Sequence, residues 1–367
     1  MIGEAPDLVT AIGVISGTSM DGVDVAVISS DGESIVEPGP GATFSYPDET
    51  RDALRRIITD PVAAKGPLEN LERAVTDAHV AAVREFMTEY GLDNRSVALV
   101  GLHGQTILHL PRERFTRQLM DGARAAQTLG IDVVCDFRSA DVAAGGEGAP
   151  FVPLYHAAIS AAAQRPLMVL NWGGVGNVTY LGAAGEIVAF DTGPANALLD
   201  DFVMRRRGLT HDAGGALAAS GRADKAILAQ LMRDPYFDRA PPKSLDRNHF
   251  HQLATAVDAL DDADGAATLA AFTVEATAAA SRFFAAKPQR WLVTGGGRRN
   301  STLMKALGAT LGSSVEPIEA IGYDGDALEA QCFAYLAIRS RRNLPLSLPT
   351  TTGAPQAMTG GAFWRRR

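Results

Sequence analysis

Residues 16–24 contain the residue types that bind phosphate groups. They read SGTSMDGVD and lie between apolar runs at 12–15 and 25–28, which predict the two arms of a β-hairpin. Glycines let backbone N–H groups approach an anion, hydroxyls add donors, and a carboxylate at the same turn can hold Mg²⁺. Glycine, serine and aspartate are also common in solvated turns. The segment therefore predicts either a phosphate-binding loop or an ordinary hairpin turn.

Asp191 is the carboxylate that the sequence places best for proton transfer. It follows the strand-like run 187–190, and a helical pattern that ends at Gly208 comes after it. A carboxylate between a strand and a helix lies where open α/β sheets bind ligands, and it can act as a general base on a hydroxyl or a water. Aspartate is also a common helix cap. Both roles, base and cap, stay open for Asp191.

Two earlier segments place polar side chains after short apolar strands. Residues 101–106 read GLHGQT, so His103 and Gln105 can either face a polar ligand or serve the structure. Arg138, in the segment 136–141 (DFRSAD), suits a carboxylate or a phosphate that it binds through two N–H groups. It can equally form an ion pair with one of the aspartates beside it.

Glycine-rich turns recur later in the chain. Residues 171–177 read NWGGVGN between two strand-like runs, and residues 294–300 read TGGGRRN between a strand and a helix. Three consecutive glycines allow a flat group such as adenosine to lie against the backbone. The chain has neither a GxGxxG fingerprint nor a GxxxxGK[ST] P-loop. Any nucleotide site must therefore be of another type.

Strand-like and helical patterns alternate along the chain, which favours an α/β fold. Helical segments are predicted over 67–90, 223–233, 253–286 and 326–342. The last of them opens with a D-x-x-E capping box formed by Asp326 and Glu329, and Glu329 can also reach a ligand. The two glycine-rich hairpins predict either a pair of similar α/β halves or two unrelated hairpins.

Composition and charge argue against several classes of protein. The chain has 367 residues, 46% hydrophobic residues and a formal net charge of −8, which is typical of a globular protein with about two domains. The negative charge disfavours a nucleic-acid binder with a basic surface. No apolar run or leader pattern predicts a membrane span or export. Cys135 and Cys332 are expected to be buried thiols in a reducing cytoplasm.

Taken in order, these segments resemble the anhydro-N-acetylmuramic acid kinase family. The matching stretches are GTSMDGVD (17–24), GLHGQT (101–106), DFRSADVAAGG (136–146), GAPFVPLYH (148–156), NWGGVGNVTYL (171–181), FDTGPANALLD (190–200), PPKS (241–244), TGGGRRN (294–300) and DGDALEA (324–330). They span nearly the whole chain and are together far more specific than any single glycine-rich loop. Glu147 and Trp172 depart from the family pattern, in which a glutamine and a smaller apolar residue are expected.

The resemblance implies a member of the acetate and sugar kinase/actin superfamily. The expected fold is α/β, with two ribonuclease H-like domains of the actin/sugar-kinase type and an interdomain ATP cleft. The domains are expected at 1–140 and 141–342, with 343–367 returning to the first. In the implied reaction water opens 1,6-anhydro-N-acetylmuramic acid while the sugar O6 takes the γ-phosphate of ATP. The products are N-acetylmuramic acid 6-phosphate and ADP, for peptidoglycan recycling.

The resemblance also assigns site residues. Asp191 corresponds to the general base that activates the water, and Asp21 is the expected Mg²⁺ contact. The residues expected to bind ATP are Gly17, Thr18, Ser19, Met20, Asp21, Gly22, Val23, Asp24, Gly174, Asn177, Gly295, Gly296 and Gly297. Those expected to bind the sugar are His103, Gln105, Arg138, Asp191 and Glu329, with Arg138 matched by charge to the lactyl carboxylate.

The expected partners are the sugar, ATP and Mg²⁺, with no nucleic acid and no membrane, in the cytoplasm; a homodimer is left open. Two alternatives to the kinase also stay open. The same scaffold can carry a non-catalytic nucleotide or sugar sensor, or a related kinase that acts on a different sugar. An aspartate at position 191 together with a complete phosphate loop favours catalysis.

Overall fold

The computed structural model describes residues 7–17, 20, 22–284 and 286–366. The chain forms two compact units: unit 1 comprises Met1–Ala162 and Ala327–Arg367, and unit 2 comprises Ala163–Asp326. These divisions differ from the domain boundaries predicted at 140 and 342, because the helices on either side of unit 2 pack within unit 1. In the described part of the chain, no helix combines the length and the apolar character needed to cross a membrane.

The secondary structure alternates between strands and helices. In chain order the strands are β1 (Val9–Ser16), β2 (Val23–Ser30), β3 (Val36–Phe44), β4 (Leu99–Leu110), β5 (Phe115–Leu119), β6 (Asp132–Cys135), β7 (Leu167–Trp172), β8 (Val175–Leu181), β9 (Ile187–Pro194), β10 (Arg290–Thr294), β11 (Ser314–Pro317) and β12 (Ala362–Trp364).

The α-helices are α1 (Asp48–Ile58), α2 (Glu69–Glu89), α3 (Gly122–Leu129), α4 (Ser139–Ala144), α5 (Val152–Ile159), α6 (Asn196–Arg207), α7 (Ala216–Ser220), α8 (Lys225–Leu231), α9 (His251–Ala254), α10 (Asp262–Ala279), α11 (Ser301–Leu311), α12 (Leu328–Arg341) and α13 (Pro349–Thr352). Short 3₁₀ helices lie at Ala63–Lys65, Pro111–Glu113, Ala213–Gly215, Pro235–Asp238, Thr255–Ala259, Ala280–Phe283, Gly296–Arg299 and Ile318–Ile321.

The sheet of unit 1 has the strand order β12–β6–β4–β1–β2–β3, with β5 beside β4. Strands β1, β2 and β3 are consecutive and antiparallel. Strand β4 lies parallel to β1, and β6 lies parallel to β4. The hairpin predicted from residues 12–15 and 25–28 is confirmed, with Val14 opposite Val25.

Helix α12 packs on this sheet where two glycines leave room for it. Gly13 of β1 and Gly101 of β4 are neighbours across the parallel pair. A Cβ atom at Gly13 would lie 1.9 Å from the carbonyl oxygen of Ala330, and one at Gly101 would lie 2.3 Å from that of Phe333. The backbone of α12 therefore rests directly on the strands. This close packing is why the helix belongs to unit 1.

The opposite face of the sheet carries the apolar core of unit 1. Because successive strand residues point to opposite faces, Ile12 and Val14 face away from α12. They join a buried cluster with Val83 and Phe86 of α2. Cys135 and Cys332 are both buried and free, as predicted.

The sheet of unit 2 has the strand order β11–β10–β7–β8–β9. Strands β7, β8 and β9 are consecutive and antiparallel, β10 lies parallel to β7, and β11 lies parallel to β10. Each unit thus contains an antiparallel three-strand meander with two later strands added in parallel beside its first strand. This repetition confirms the pair of similar α/β halves and the predicted ribonuclease H-like fold of the actin/sugar-kinase type.

The long helix predicted over 253–286 is interrupted. Leu260 is extended, with φ −85° and ψ 161°, and ends the 3₁₀ segment before it. Asp261 then accepts a hydrogen bond from the N–H of Asp264 and caps a new helix, α10. Alanine-rich composition predicted helix correctly on both sides, but the aspartate starts a separate element. Helix α10 packs on α6 and β9, and its Phe272 lies in the core of unit 2, against Phe237 and Phe250.

Candidate functional site

The turn between β1 and β2 carries the predicted phosphate loop. Three of its predicted ligands lie outside the described residues: Thr18, Ser19 and Asp21. Met20 has a left-handed backbone, with φ 56°, and donates its N–H to the carbonyl of Gly17 at 3.2 Å. A Cβ at Gly22 would lie 2.4 Å from the Thr43 methyl carbon. Left-handed residues in such turns orient neighbouring N–H groups towards an anion, so this backbone is compatible with the predicted loop.

Gln105 ties this loop to β4. Its side chain is fully buried, and its Oε1 accepts hydrogen bonds from Ser16 Oγ at 2.7 Å and from the Tyr46 hydroxyl at 3.3 Å. Its Nε2 donates to the Gly17 carbonyl at 3.2 Å. Burial raises the pKa of Tyr46, which keeps that hydroxyl protonated as a donor. Gln105 therefore positions the loop, and its contact with the sugar stays a prediction.

His103 and Arg138 are brought together in unit 1. Arg138 Nε donates to His103 Nε2 at 2.9 Å, and His103 Nδ1 lies 2.8 Å from the Gly104 carbonyl oxygen. Burial, followed by the Arg138 charge, lowers the pKa of His103 well below its ordinary value. His103 is therefore neutral at physiological pH. Its proton is assigned to Nδ1, because Nε2 must accept from Arg138.

Arg138 is held in place as a charged donor. Its Nη1 donates to the Gly148 carbonyl at 2.6 Å, and its guanidinium carbon lies 5.5 Å from the centre of the Phe151 ring. Burial lowers the pKa of Arg138 to about 10, against the opposing effects of Cys332, Glu329 and Asp141. The guanidinium therefore stays charged at neutral pH. The ion pair considered with Asp136 or Asp141 is not formed among the described residues.

Asp141 holds the backbone beside Arg138. Its side chain is buried, and its Oδ1 accepts from the Gly148 N–H at 2.8 Å. Its Oδ2 accepts from Ser347 Oγ at 2.5 Å and from Thr352 Oγ1 at 2.7 Å. Gly148 is thus held through both its N–H and its carbonyl. Sequence reasoning missed this function, because the hydroxyl partners are 206 and 211 residues away along the chain.

Asp24 and Glu329 are two acids that influence each other in unit 1. Asp24 Oδ1 accepts a hydrogen bond from Thr43 Oγ1 at 2.6 Å. Burial, and then the Asp24 charge, raise the pKa of Glu329, while Arg138 opposes the shift. Asp24, predicted for the phosphate loop, and Glu329, predicted for the sugar site, therefore interact electrostatically, and Arg138 also acts on Glu329.

The capping box predicted at Asp326 and Glu329 is wrong. Helix α12 begins at Leu328, and its N-cap Ala327 has no side chain that can cap. Asp326 instead accepts from Arg298 Nη2 at 2.9 Å, and it also pairs with Arg299. Asp326 therefore fastens the 294–300 turn of unit 2.

The triple glycine packs against the second hairpin turn. A Cβ at Gly295 would lie 2.3 Å from Asn171 Oδ1, and one at Gly297 would lie 2.5 Å from Trp172 Cβ. Trp172 is fully buried and donates its indole N–H to Thr277 Oγ1 at 3.0 Å. These two glycines are therefore required for packing. Trp172, which departs from the family pattern, is therefore a core residue of unit 2.

Two of the predicted nucleotide-binding glycines are exposed and free of close packing. Gly174 and Gly296 are exposed, and Asn196 lies 3.8 Å from where a Cβ at Gly296 would stand. The Gly174 carbonyl accepts from the N–H of Ala195 at 3.1 Å, and Asn196 Nδ2 donates to the Trp172 carbonyl at 2.8 Å. The start of α6 is thus hydrogen-bonded to the 171–177 turn, and Asn196 lies beside the 294–300 turn. Such open backbone suits the flat contact predicted for adenosine.

Asp191 lies within β9 and not at its carboxyl end. It opposes Asn177 of β8, and β9 continues to Pro194. The N-cap of α6 is Ala195, which has no side-chain cap, so the cap role of Asp191 is wrong. Asp191 Oδ2 accepts from the Leu245 N–H at 2.8 Å. The carboxylate is thus oriented by a backbone donor, Leu245, that directly follows the PPKS segment (241–244).

Comparisons with known proteins give a consistent picture. The model of the family "Anhydro-N-acetylmuramic acid kinase" matches residues 9–366. A Rhodospirillum rubrum protein named anhydro-N-acetylmuramic acid kinase is 50% identical over 363 residues, covering 98% of this chain and 96% of its own length. A Paramagnetospirillum magneticum protein of the same name is 51% identical over 352 residues, covering 96% and 98% respectively.

Solved structures match at much lower identity. Component A of the (R)-2-hydroxyglutaryl-CoA dehydratase of Acidaminococcus fermentans has a TM-score of 0.49 and 12% identity, covering 90% of this chain and 99% of that chain. A ROK family glucokinase from Streptomyces griseus, in complex with glucose and AMPPNP, has a TM-score of 0.40 and 15% identity, covering 90% and 99%.

Proposed function

The chain belongs to the anhydro-N-acetylmuramic acid kinase family, and on this premise we propose that it is an ATP-dependent kinase of 1,6-anhydro-N-acetylmuramic acid. It opens the anhydro bridge with water and phosphorylates O6, giving N-acetylmuramic acid 6-phosphate and ADP for peptidoglycan recycling. The observation that carries this proposal is the family match over residues 9–366. The site geometry supports it, and we propose a role for each of the following residues.

Asp191 is the general base of the hydrolytic step. The water oxygen bonds to the anomeric carbon, its proton passes to the Asp191 carboxylate, and the bond from the anomeric carbon to O6 breaks. O6 bonds to the γ-phosphorus of ATP, and ADP leaves. The Leu245 N–H on Oδ2 keeps the carboxylate oriented. A positioned base of this kind contributes about 10²–10⁴-fold to the rate.

The sugar contacts come from a rigid polar group in unit 1. Arg138 is charged and fixed through His103 and Gly148, so it meets an anionic group without first having to be ordered. We assign it to the lactyl carboxylate. Glu329 and Gln105 complete the predicted sugar contacts. Because His103 is neutral, it adds no positive charge to this group.

The ATP contacts come from backbone-rich turns. The loop from Gly17 to Asp24 binds the phosphates, and the exposed backbone of Gly174 and Gly296 faces the adenosine. Gly295 and Gly297 act by packing, because neither has room for a side chain. Positioning and charge neutralisation supply most of the catalysis in phosphoryl transfer.

We expect Mg²⁺ to bind at the predicted phosphate loop. Mg²⁺ keeps several waters and is bound by one or two carboxylates together with substrate phosphates. Among the described residues no cluster of three or more His, Cys, Asp or Glu side chains forms, and the site needs none. Asp21, which lies outside the described residues, would hold the ion, and Asp24 follows it in the sequence at the start of β2. When bound, Mg²⁺ neutralises charge on the phosphates.

We further assign the protein to the cytoplasm, where ATP is available. A homodimer stays open, and light scattering coupled to gel filtration decides it. A mass of two chains at micromolar concentration would show a homodimer, and a mass of one chain would show a monomer.

The reaction is tested by incubating the protein with Mg²⁺-ATP and the anhydrosugar and following ³¹P NMR. We expect one sugar 6-phosphate to appear for each ADP formed. ATP binding without any sugar phosphate would instead indicate a sensor. Phosphorylation of another anhydrosugar in preference to this one would indicate a related kinase. Asp191→Asn is the matched control, expected to bind ATP normally and form product at least about a hundredfold more slowly.

A further inference from the structure

Asp191 is hydrogen-bonded to the segment that contains the PPKS motif. Its N–H donates to the Lys243 carbonyl at 3.0 Å, and its Oδ2 accepts from the Leu245 N–H at 2.8 Å. Its own carbonyl accepts from the Tyr236 hydroxyl at 2.5 Å. The orientation of the carboxylate therefore depends on where residues 243–245 lie, and a 1 Å displacement of a reacting group can cost about a hundredfold in rate.

The Lys243 side chain fixes that segment in the interior of unit 2. It is only 7% exposed, and its Nζ donates to the carbonyls of Tyr236 and Phe237 at 3.0 and 3.3 Å. The ammonium also lies 4.5 Å from the Tyr236 ring centre, 4.8 Å from that of Phe283 and 5.7 Å from that of Phe190. A buried ammonium is costly unless such partners replace water. Phe190 is also the neighbour of Asp191 in β9.

Four charged groups act on this ammonium. Burial is the largest effect and, with Arg282 and Arg239, lowers the pKa of Lys243 to about 8, while Asp238 and Asp191 oppose the shift. The lysine is thus mainly charged at neutral pH. The interaction is mutual, so the ammonium stabilises the carboxylate form of Asp191, which is the form a base requires.

We propose that Lys243 is a positioning residue for Asp191. Its ammonium anchors residues 243–245 to the rings of Tyr236, Phe283 and Phe190, so that the backbone of these residues holds the base. The inference rests on the proposed function for the identity of the reaction. The anchoring itself is a statement about the fold of unit 2 and can be measured separately. The PPKS motif was part of the family resemblance, but the sequence alone indicated no role for its lysine.

Lys243→Met tests the proposal in the full-length protein, with Lys225→Met as a matched control. Lys225 is exposed on α8. We expect Lys243→Met to lower kcat at least about tenfold and to change the KM for ATP less than about twofold. The acidic limb of the pH–kcat profile should move to higher pH, because a cation near the base is lost. Lys225→Met should leave all three unchanged.

Hydrogen exchange tests the anchoring without reference to turnover. In Lys243→Met the amides of Asp191 and Leu245 should exchange at least about tenfold faster than in the wild type. Unchanged exchange together with an unchanged pH profile would overturn the proposal. A wild type that makes no sugar phosphate, but shows this exchange effect, would refute the proposed function and leave the anchoring standing.

Lys243→Gln serves if Lys243→Met does not fold. Glutamine keeps N–H donors for the two carbonyls but removes the charge. We expect a smaller loss of kcat than in Lys243→Met, with the same direction of shift in the acidic limb. A Lys243→Gln protein with the wild-type pH profile and wild-type exchange at Leu245 would contradict the role.

Discussion

Asp141 gives the sharpest test of how unit 1 holds Arg138. In Asp141→Ala the Gly148 N–H loses its acceptor in a buried position, which costs about 1–3 kcal/mol. The hydroxyls of Ser347 and Thr352 lose theirs as well, but they can rotate, and Thr352 already lies 3.5 Å from the Leu348 carbonyl. With the small cavity included, we expect a loss of about 2–4 kcal/mol in the free energy of unfolding.

Asp141→Asn should be much milder. Its Oδ1 can keep the Gly148 N–H, and its amide can donate to the two hydroxyls, which then act as acceptors. Only the charge assistance is lost, so we expect a cost of about 1 kcal/mol. Asp77→Ala is the control, because it removes an exposed ion pair with Arg124, worth less than about 1 kcal/mol.

Urea unfolding followed by circular dichroism measures these differences, provided that the m-value is unchanged. A second readout is the KM for the sugar, which should rise in Asp141→Ala because the Gly148 carbonyl that holds Arg138 is released. Equal destabilisation by alanine and asparagine would show that the carboxylate is not the acceptor that holds Gly148. So would an alanine variant as stable as Asp77→Ala.

Three further predictions concern packing, protonation and catalysis. Gly101→Val should lower the free energy of unfolding in urea by at least about 3 kcal/mol, because the valine side chain would clash with the α12 backbone. Gly308→Ala is the control: a Cβ there has no neighbour nearer than 3.7 Å, so it should raise the free energy of unfolding by up to about 1 kcal/mol. Burial lowers the pKa of His79 to about 4, so between pH 6.5 and 4 the unfolded chain binds a proton that the folded chain does not bind. The free energy of unfolding therefore falls as the pH is lowered from 6.5 to 4. His79→Gln should reduce that slope by about 1.4 kcal/mol per pH unit. An unchanged slope would show that His79 protonates freely in the fold. Asp191→Asn should keep its melting temperature and nucleotide affinity while kcat falls at least about a hundredfold, measured by coupled ADP release; near-wild-type kcat would remove Asp191 as the base.

Local elements of the fold were predictable because their signals are local. The hairpin around residues 16–24 and the one around 171–177 are glycine-rich turns between apolar runs, and both were found as predicted. Gly208 ends α6 with φ 67°, as expected for a left-handed C-cap. The residue types had already indicated the phosphate loop and Asp191 as candidates, and the family resemblance then assigned their roles.

Features that depend on distant residues were not predictable in this way. Helix α12 was predicted as a helix, but nothing in its residues says that its backbone rests on Gly13 and Gly101. Asp141 was considered only as an ion-pair partner of Arg138, because Ser347, which donates to it, lies 206 residues away along the chain. In the sequence Lys243 appears only as part of the PPKS match, and its contact with the rings of Tyr236 and Phe283 depends on the fold. Each of these roles exists only in the folded chain.

In the proposed reaction one active site couples water attack on the anhydrosugar to phosphoryl transfer. Mass spectrometry of the product made in ¹⁸O-labelled water tests this coupling. We expect a phosphorylated, ring-opened sugar with one heavy oxygen, located at the anomeric position, and none in the phosphate group. A heavy oxygen in the phosphate, or a phosphorylated sugar that keeps its anhydro bridge, would contradict it.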